Sequence, residues 1–191
     1  MVRPAAALEV REVTPATWAD MERLFAGRGG PSACWCTVWR RAPDGSRPQR
    51  GPARHEAMAG IVAAGTPVGL LAYDGGEPVA WCSVAPRATF VPTMAPTDDA
   101  AGPVWSVPCL FVRRDHRGAG VMAALLDAAE ELAHASGAAV LEAYPVDPAS
   151  PSYGFGGRLP FFLARGYVET ARAGTRRHVV RRPLPQRTPR D

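Results

Sequence analysis

Apolar and charged residues alternate over residues 8–13 (LEVREV), the period of a half-buried strand. Thr14-Pro15 then supplies a helix cap and a first-turn proline, and Trp18, Met21, Leu24 and Phe25 share one face of the predicted helix. Gly27, Gly29, Gly30 and Pro31 end it, and the chain enters CWCTVWRR, a segment crowded with aromatics and thiols, followed by a polar Pro/Gly/Arg loop over residues 42–52. Helical spacing returns over residues 53–64, where Met58, Ile61 and Val62 align and Gly65 is the stop. Two apolar runs, residues 68–73 and 78–84, flank Asp74-Gly75-Gly76-Glu77, whose Asp-Gly is the chemistry of a tight hairpin, so they are predicted to pair antiparallel.

Residues 86–103 carry prolines, two aspartates and no period, which reads as a long surface loop of the kind that borders a site. Residues 104–112 form the next predicted strand. Its Pro108 cannot donate to a sheet ladder and predicts a bulge and a splayed strand. A helix over residues 121–135 is expected to bury Val121, Leu125, Ala128 and Leu132, to expose Asp127, Glu130 and His134, and to stop at Ser136-Gly137. Residues 138–146 read as a further strand, parallel to the preceding one because a helix of this length makes a crossover connection. A Pro/Ser/Gly-rich loop, a short helix over residues 159–164 and strands over 167–171 and 177–182 complete the pattern.

Composition narrows the classes. The 191 residues, 47% hydrophobic and 21% charged, suit one globular domain over residues 1–184 with an Arg/Pro-rich, flexible tail over 185–191. The longest apolar runs fall short of the ~20 residues that span a bilayer, and Glu9, Arg11 and Glu12 stand where a signal peptide needs an apolar core. A cytoplasmic address with no membrane partner is therefore expected. The net charge of +4 comes entirely from 22 arginines, with no lysine, no asparagine and a single isoleucine, Ile61, the profile of a GC-rich coding sequence. No basic and aromatic stripe accompanies it, so no nucleic-acid partner is expected. The four cysteines, Cys34, Cys36, Cys82 and Cys109, lack zinc spacing and read as thiols, so no metal is expected.

The segment Arg117-Gly118-Ala119-Gly120 sits between a strand and a helix. Glycines admit a ligand close to the backbone, and the helix start offers unpaired N–H groups and the positive end of its dipole, so the turn suits phosphate. A lone Gly-x-Gly is weak, and context strengthens it. Val112, then RRDH, then Arg117-Gly118-Ala119-Gly120-Val121-Met122 resembles the strand-ending valine and Arg/Gln-x-x-Gly-x-Gly/Ala signature of the GNAT superfamily of acyl-CoA-dependent N-acyltransferases, except that Met122 replaces the final small residue. Phe162-Leu163-Ala164-Arg165-Gly166-Tyr167 resembles that family's C-terminal aromatic-x-x-x-Gly-aromatic landmark. The order of elements is also similar through nearly the whole chain.

The resemblance implies an α+β, three-layer GNAT-like fold: a mixed, mostly antiparallel sheet with a splayed parallel strand pair and helices on both faces. It implies acetyl-CoA as cosubstrate, its pyrophosphate on the amides of Arg117, Gly118, Ala119, Gly120, Val121 and Met122, and its pantetheine along Leu110, Phe111 and Val112. Arg113 or Arg114 would meet the 3′-phosphate, and an amide near Cys109 or Leu110 would polarise the thioester carbonyl. Relatives often carry a tyrosine where Phe162 stands and a glutamate where Trp105 and Ser106 stand, so the proton donor and the base must come from elsewhere. Replacement donors are Tyr144, Tyr153 or Cys109; replacement bases are Asp147, Glu142 or a water chain, with Glu142 otherwise an exposed strand carboxylate.

By the same resemblance CWCTVWRR falls at the acceptor site. Cys34, Trp35, Cys36 and Trp39 would line it with Trp81, Ser83 and Ser106, the alternative being that the tryptophans close the core and the cysteines are packing residues. The activity implied is N-acetylation of a small-molecule amine of amino acid, polyamine or antibiotic type. The alternatives are a catalytically silent acyl-CoA-binding sensor or partner module and a protein or peptide N-terminal acetyltransferase. A homodimer is compatible with the resemblance.

Overall fold

A computed structural model describes residues 8–40, 45–46, 50–94 and 100–185, so most of the expected tail and parts of the two long loops lie outside the described residues. Its elements are β1 (Glu9–Glu12), α1 (Trp18–Ala26), α2 (Gly51–Ala63), β2 (Gly69–Asp74), β3 (Glu77–Pro86), β4 (Val104–Val112), α3 (Val121–Ala135), β5 (Val140–Ala143), α4 (Leu159–Leu163), β6 (Val168–Ala173) and β7 (Arg177–Pro183). The strands form one seven-stranded sheet in the order β1-β2-β3-β4-β5-β7-β6. Every neighbouring pair is antiparallel except β4 and β5, which the α3 crossover joins in parallel.

The two faces follow from the alternation of side chains along the central strands. Leu70, Ala72, Ala80 and Cys82 point to the layer that contains α3 and α4, where they meet Leu125, Leu126, Ala129 and Phe162. Leu71, Tyr73, Trp81 and Cys109 point the other way, onto Met21, Leu24 and Phe25 of α1 and Met58, Ile61 and Val62 of α2. Covered on both sides, β2 and β3 read as continuous apolar runs rather than alternating ones.

Several local expectations are corrected. Thr14-Pro15 makes its own turn ahead of α1: the Thr14 amide donates to the Thr17 hydroxyl (2.9 Å), which in turn donates to the Glu12 carbonyl (2.8 Å), and the helix begins only at Trp18. The inward row of α3 is Val121, Leu125, Leu126, Ala129 and Ala133, while Ala128 and Leu132 are half-buried, because the helix lies across β2, β3 and β4 and presents a broader face. Strand β5 stops at Ala143 rather than continuing to 146, since β4 has by then moved away from it.

That separation begins at the predicted bulge. Ser83 opposes Cys109 and Ala85 opposes Ser106, so the single residue Val84 of β3 faces both Val107 and Pro108. On its other side β4 pairs with β5 only from Val104 to Val107. Pro108, with no N–H, is the first residue past the pairing, and residues 108–112 are left with no strand partner on that edge. Residues beyond β5 turn instead to β7, where the His178 amide donates to the Pro145 carbonyl at 2.8 Å and Val146 bridges to Arg177.

Where the parallel pair ends, a buried polar network ties β4, β5 and β7 together. Glu142 is fully buried, contrary to the reading of it as an exposed strand carboxylate, because its side chain points into the face where Arg181 and Arg87 converge. Arg181 Nε donates to Glu142 Oε2 at 2.7 Å, Arg87 Nη1 approaches the same oxygen at 3.5 Å, and the Tyr144 hydroxyl donates to Glu142 Oε1. Ser106 Oγ lies 2.9 Å from the Tyr144 hydroxyl. Burial, reinforced by the Glu142 charge, pushes the Tyr144 phenol well above its usual range, so it stays protonated and donating.

Tyr144→Phe removes the donor to a carboxylate that has no access to water. The expected cost is about 1–3 kcal/mol in a urea-unfolding measurement with an unchanged denaturant slope; an unaltered midpoint would show that the network does not hold the strands.

Candidate active site

The glycine turn emerges from β4 through a braced single 3-10 turn at Arg114–His116. Arg113 and His116 hold Asp115 between them, with Arg113 Nη2 2.6 Å and His116 Nδ1 2.9 Å from its carboxylate, and the Asp115 pKa falls to about 2. His116 Nε2 also reaches Asp74 at 3.2 Å, which pins the turn to the β2–β3 hairpin. Arg117 Nε donates back to the Val112 carbonyl at 3.1 Å.

Gly118 and Gly120 both adopt left-handed backbone (φ 77° each), and a Cβ built on either would meet nothing within 4 Å. Glycine is required there by the conformation, and the space above it is open. The Gly120 carbonyl accepts the amides of Ala123 (2.9 Å) and Ala124 (3.1 Å), which starts α3. Among the described residues, the amides of residues 118–122 have no intramolecular acceptor, and no side chain caps the helix. Five consecutive donors at the positive end of a 15-residue helix have the geometry and polarity that suit an anion.

These amides open onto a cavity of about 660 Å³. Its walls are Leu110, Phe111 and Val112 of the unpaired β4 edge, His116, Arg117, Gly118, Gly120, Val121, Met122 and Ala123, and, from across the splay, Gly154, Phe155, Gly157, Arg158 and Phe161. Most of the donor-binding residues read from the sequence are thus brought together. A second cavity, about 1110 Å³, adjoins it across Phe111 and Arg117 and is lined by Arg113, Arg114, Arg23 and Arg28. Arg113 and Arg114 therefore face this neighbouring space.

The turn that carries Gly154 and Phe155 is seated on the mouth of the splay. A Cβ on Gly156 would run into the Tyr144 carbonyl oxygen, and one on Gly157 would meet the Phe162 ring at 2.7 Å. Phe162 is itself fully buried against Tyr167, so it is a core residue at the position where relatives often keep a tyrosine.

The expected acceptor residues divide. Trp35, Cys36 and Trp81 lie in the core beneath α1 and α2: Phe25 packs on both tryptophans at 5.0 and 5.8 Å, and the Trp81 indole donates to Cys36 Sγ at 3.2 Å. Trp35 and Cys36 reach this position through left-handed backbone at φ 45° and 50°. The Cys36 thiol lies 3.1 Å from Cys109 Sγ. Thiol–thiol contact and burial push Cys34 and Cys36 upward, so neither is a thiolate nucleophile at neutral pH. Ser83 and Ser106 are wholly buried, Ser83 under Arg40 and Ser106 under Tyr144. Trp39 stays half-buried at the edge of the cluster formed by Phe90, Met94 and Tyr144.

The proposed proton carriers separate in the same way. Tyr144 is locked in the buried network, Cys109 is buried against Cys36, and Asp147 accepts from His178 Nε2 at 3.1 Å. Tyr153 is the exception: it is 39% exposed, held in left-handed backbone (φ 61°), and placed one residue before the cavity wall. Three arginines were not singled out from the sequence. Arg158 lines the cavity beside the glycine turn, Arg40 is buried with Nη2 donating to the Val68 carbonyl (3.0 Å), and Arg177 lies against the Trp39 ring. In a chain with 22 arginines no sequence signal distinguishes them. Among the described residues no group of three or more His, Cys, Asp or Glu side chains is arranged to hold a metal, and no helix is long and apolar enough to cross a membrane.

Comparison with known proteins agrees with this architecture. The PaiA N-acetyltransferase from Thermoplasma acidophilum, solved in complex with coenzyme A, superimposes with a TM-score of 0.58 at 12% identity, covering 94% of this chain and 100% of that one. A ribosomal-protein-alanine N-acetyltransferase from Brucella melitensis gives 0.57 at 18% identity over 92% and 99% of the two chains, and an acetyltransferase from Thermus thermophilus gives 0.55 at 19% over 94% and 98%. At these identities the likeness is one of fold. No functionally curated protein matches the sequence significantly. The model of the Acetyltransferase (GNAT) family matches residues 34–155, from the thiol-rich segment through β4, the glycine turn, α3 and β5 to the turn on the splay, and the chain belongs to that family.

Proposed function

We propose that the protein is an N-acetyltransferase that moves an acetyl group from acetyl-CoA to the amine of a small molecule by direct attack. The observation that carries this reading is the continuity of one cavity from the five unpaired amides of residues 118–122 to the unpaired edge of β4 at Leu110–Val112. A phosphate-binding end and a backbone edge able to pair with an extended amide chain suit the two halves of coenzyme A. The coenzyme supplies an acyl group already activated as a thioester.

The chain's own residues then have distinct tasks. The amides of residues 118–122 hold the diphosphate, and the free edge of β4 orients the pantetheine toward Pro108. The turn 153–157 closes the other side and excludes water from the gap between β4 and β5. Tyr153 Oη, with no hydrogen-bond acceptor among the described residues and a place beside the cavity, is the group we assign to protonate the departing thiolate. Among the described residues the carboxylates at the splay are engaged, Glu142 by Arg181 and Tyr144 and Asp147 by His178, so we assign the amine's proton to water.

Replacing Gly120 with leucine adds side chain in the open space over the amides. Titration calorimetry is expected to show CoA binding weakened at least tenfold, with a stability loss of only ~1–2 kcal/mol from the left-handed backbone; undiminished CoA affinity in the folded variant would remove the turn from the site. For Tyr153→Phe, thiol release from acetyl-CoA should show kcat lowered about a hundredfold with CoA affinity unchanged. Should wild-type protein bind CoA tightly and release no thiol with any amine in a broad panel, the silent-module reading would replace the enzymatic one.

A further inference from the structure

Arg177 opens β7 at the mouth of the splay, bridged to Val146 three residues past the end of β5. Its guanidinium lies 4.4 Å from the centroid of the Trp39 ring and 5.8 Å from that of Tyr153, and Nη1 donates to the Met94 carbonyl at 3.0 Å. Two ring contacts and one backbone acceptor restrict the fork, and such restriction is the preorganisation that bidentate recognition needs. Partial burial holds the group below its ordinary arginine value, though still protonated at neutral pH.

No carboxylate of the described residues pairs with it. The candidates nearby are engaged elsewhere: Glu142 with Arg181 and Tyr144, and Asp147 and Glu169 with His178 at 3.1 and 2.7 Å. The neighbouring Arg176 is turned to Ser152 Oγ at 2.8 Å. Arg177 is half-buried rather than sealed, so its side chain borders a space that solvent enters. That space adjoins the donor cavity through the 153–157 turn, since Tyr153 lies against Arg177 while Gly154 and Phe155 form the cavity wall. Trp39 and Tyr144 belong to the same cluster on the opposite sheet face from α3. Arg40 on that face is also without a carboxylate among the described residues, its nitrogens meeting only Val68, Ser83 and Thr89.

We propose that Arg177, held beside Trp39 and Tyr153, binds a carboxylate of the acceptor, so that the amine acetylated is a small carboxylate-bearing amine of amino-acid type. A planar carboxylate meets the fork with two parallel hydrogen bonds and neutralises a partly desolvated cation, whereas a polyamine brings a second cation to it. This inference rests on the acetyltransferase reading and specifies its acceptor.

The test uses the full chain loaded with CoA and matched pairs of each α-amino acid and its α-amide, together with spermidine. Binding is read by calorimetry and, with acetyl-CoA, turnover by thiol release. The expected result is at least one pair in which the acid binds ten times or more tightly than the amide, with spermidine not bound. Arg177→Gln should bring that pair to within twofold while CoA affinity stays unchanged, and Arg177→Lys should restore part of the preference. Equal binding of acids and amides, preference for spermidine, no binding of any member, or a preference that survives Arg177→Gln would each overturn the inference. Acid-selective binding without thiol release supports the carboxylate site and overturns acetyl transfer; thiol release with amides as good as acids does the reverse.

Discussion

The structure turns on one missing N–H. At Pro108 the ladder between β4 and β5 loses its donor, and the bulge opposite Val84 bends β4 away from its parallel neighbour. Everything the site requires follows from the gap so formed: an unpaired backbone edge at residues 108–112, room for the 153–157 turn to sit on the mouth, and a cavity that joins that edge to the start of α3.

An opening in a sheet removes hydrogen bonds, and the surrounding residues offset that loss. Glu142, Tyr144, Ser106, Arg87 and Arg181 replace ladder contacts with a buried, charge-assisted network just before the strands part. On the other side of the gap the chain after β5 is recaptured by β7 and by Arg158, through bridges at Val146. The splay is therefore bounded by fixed elements at both ends. This explains how a thiol-rich, aromatic layer beneath α1 and α2 can be packed tightly while the space beside it stays open.

The fold was largely legible because its determinants are local. The hairpin at Asp74–Glu77, the crossover helix, the bulge proline and the glycine turn each carry their cause within a few residues, and the structure has all of them. The unpaired amides of residues 118–122 were legible for the same reason: they are consecutive, and their availability follows from a helix start. The misread positions depend on partners distant in sequence. Glu142 looks like a strand carboxylate until Arg181, 39 residues on, is brought beside it, and the cysteine-tryptophan segment reads equally as pocket or core until Phe25 and Trp81 close on it.

By itself, then, the sequence determined the order of elements, the parallel crossover, the break in β4 and the open glycine turn, because each is dictated by backbone chemistry acting over one or two turns of chain. Tertiary structure alone decided that Trp35 and Trp81 are core while Trp39 stays half-buried, that Tyr144 is locked in a polar network while Tyr153 is exposed, and that Arg177 is set against rings and a backbone carbonyl rather than a carboxylate of the described residues. Those outcomes depend on how long-range packing distributes burial and charge partners, and a charge or a ring has no assigned role until its neighbours are in place.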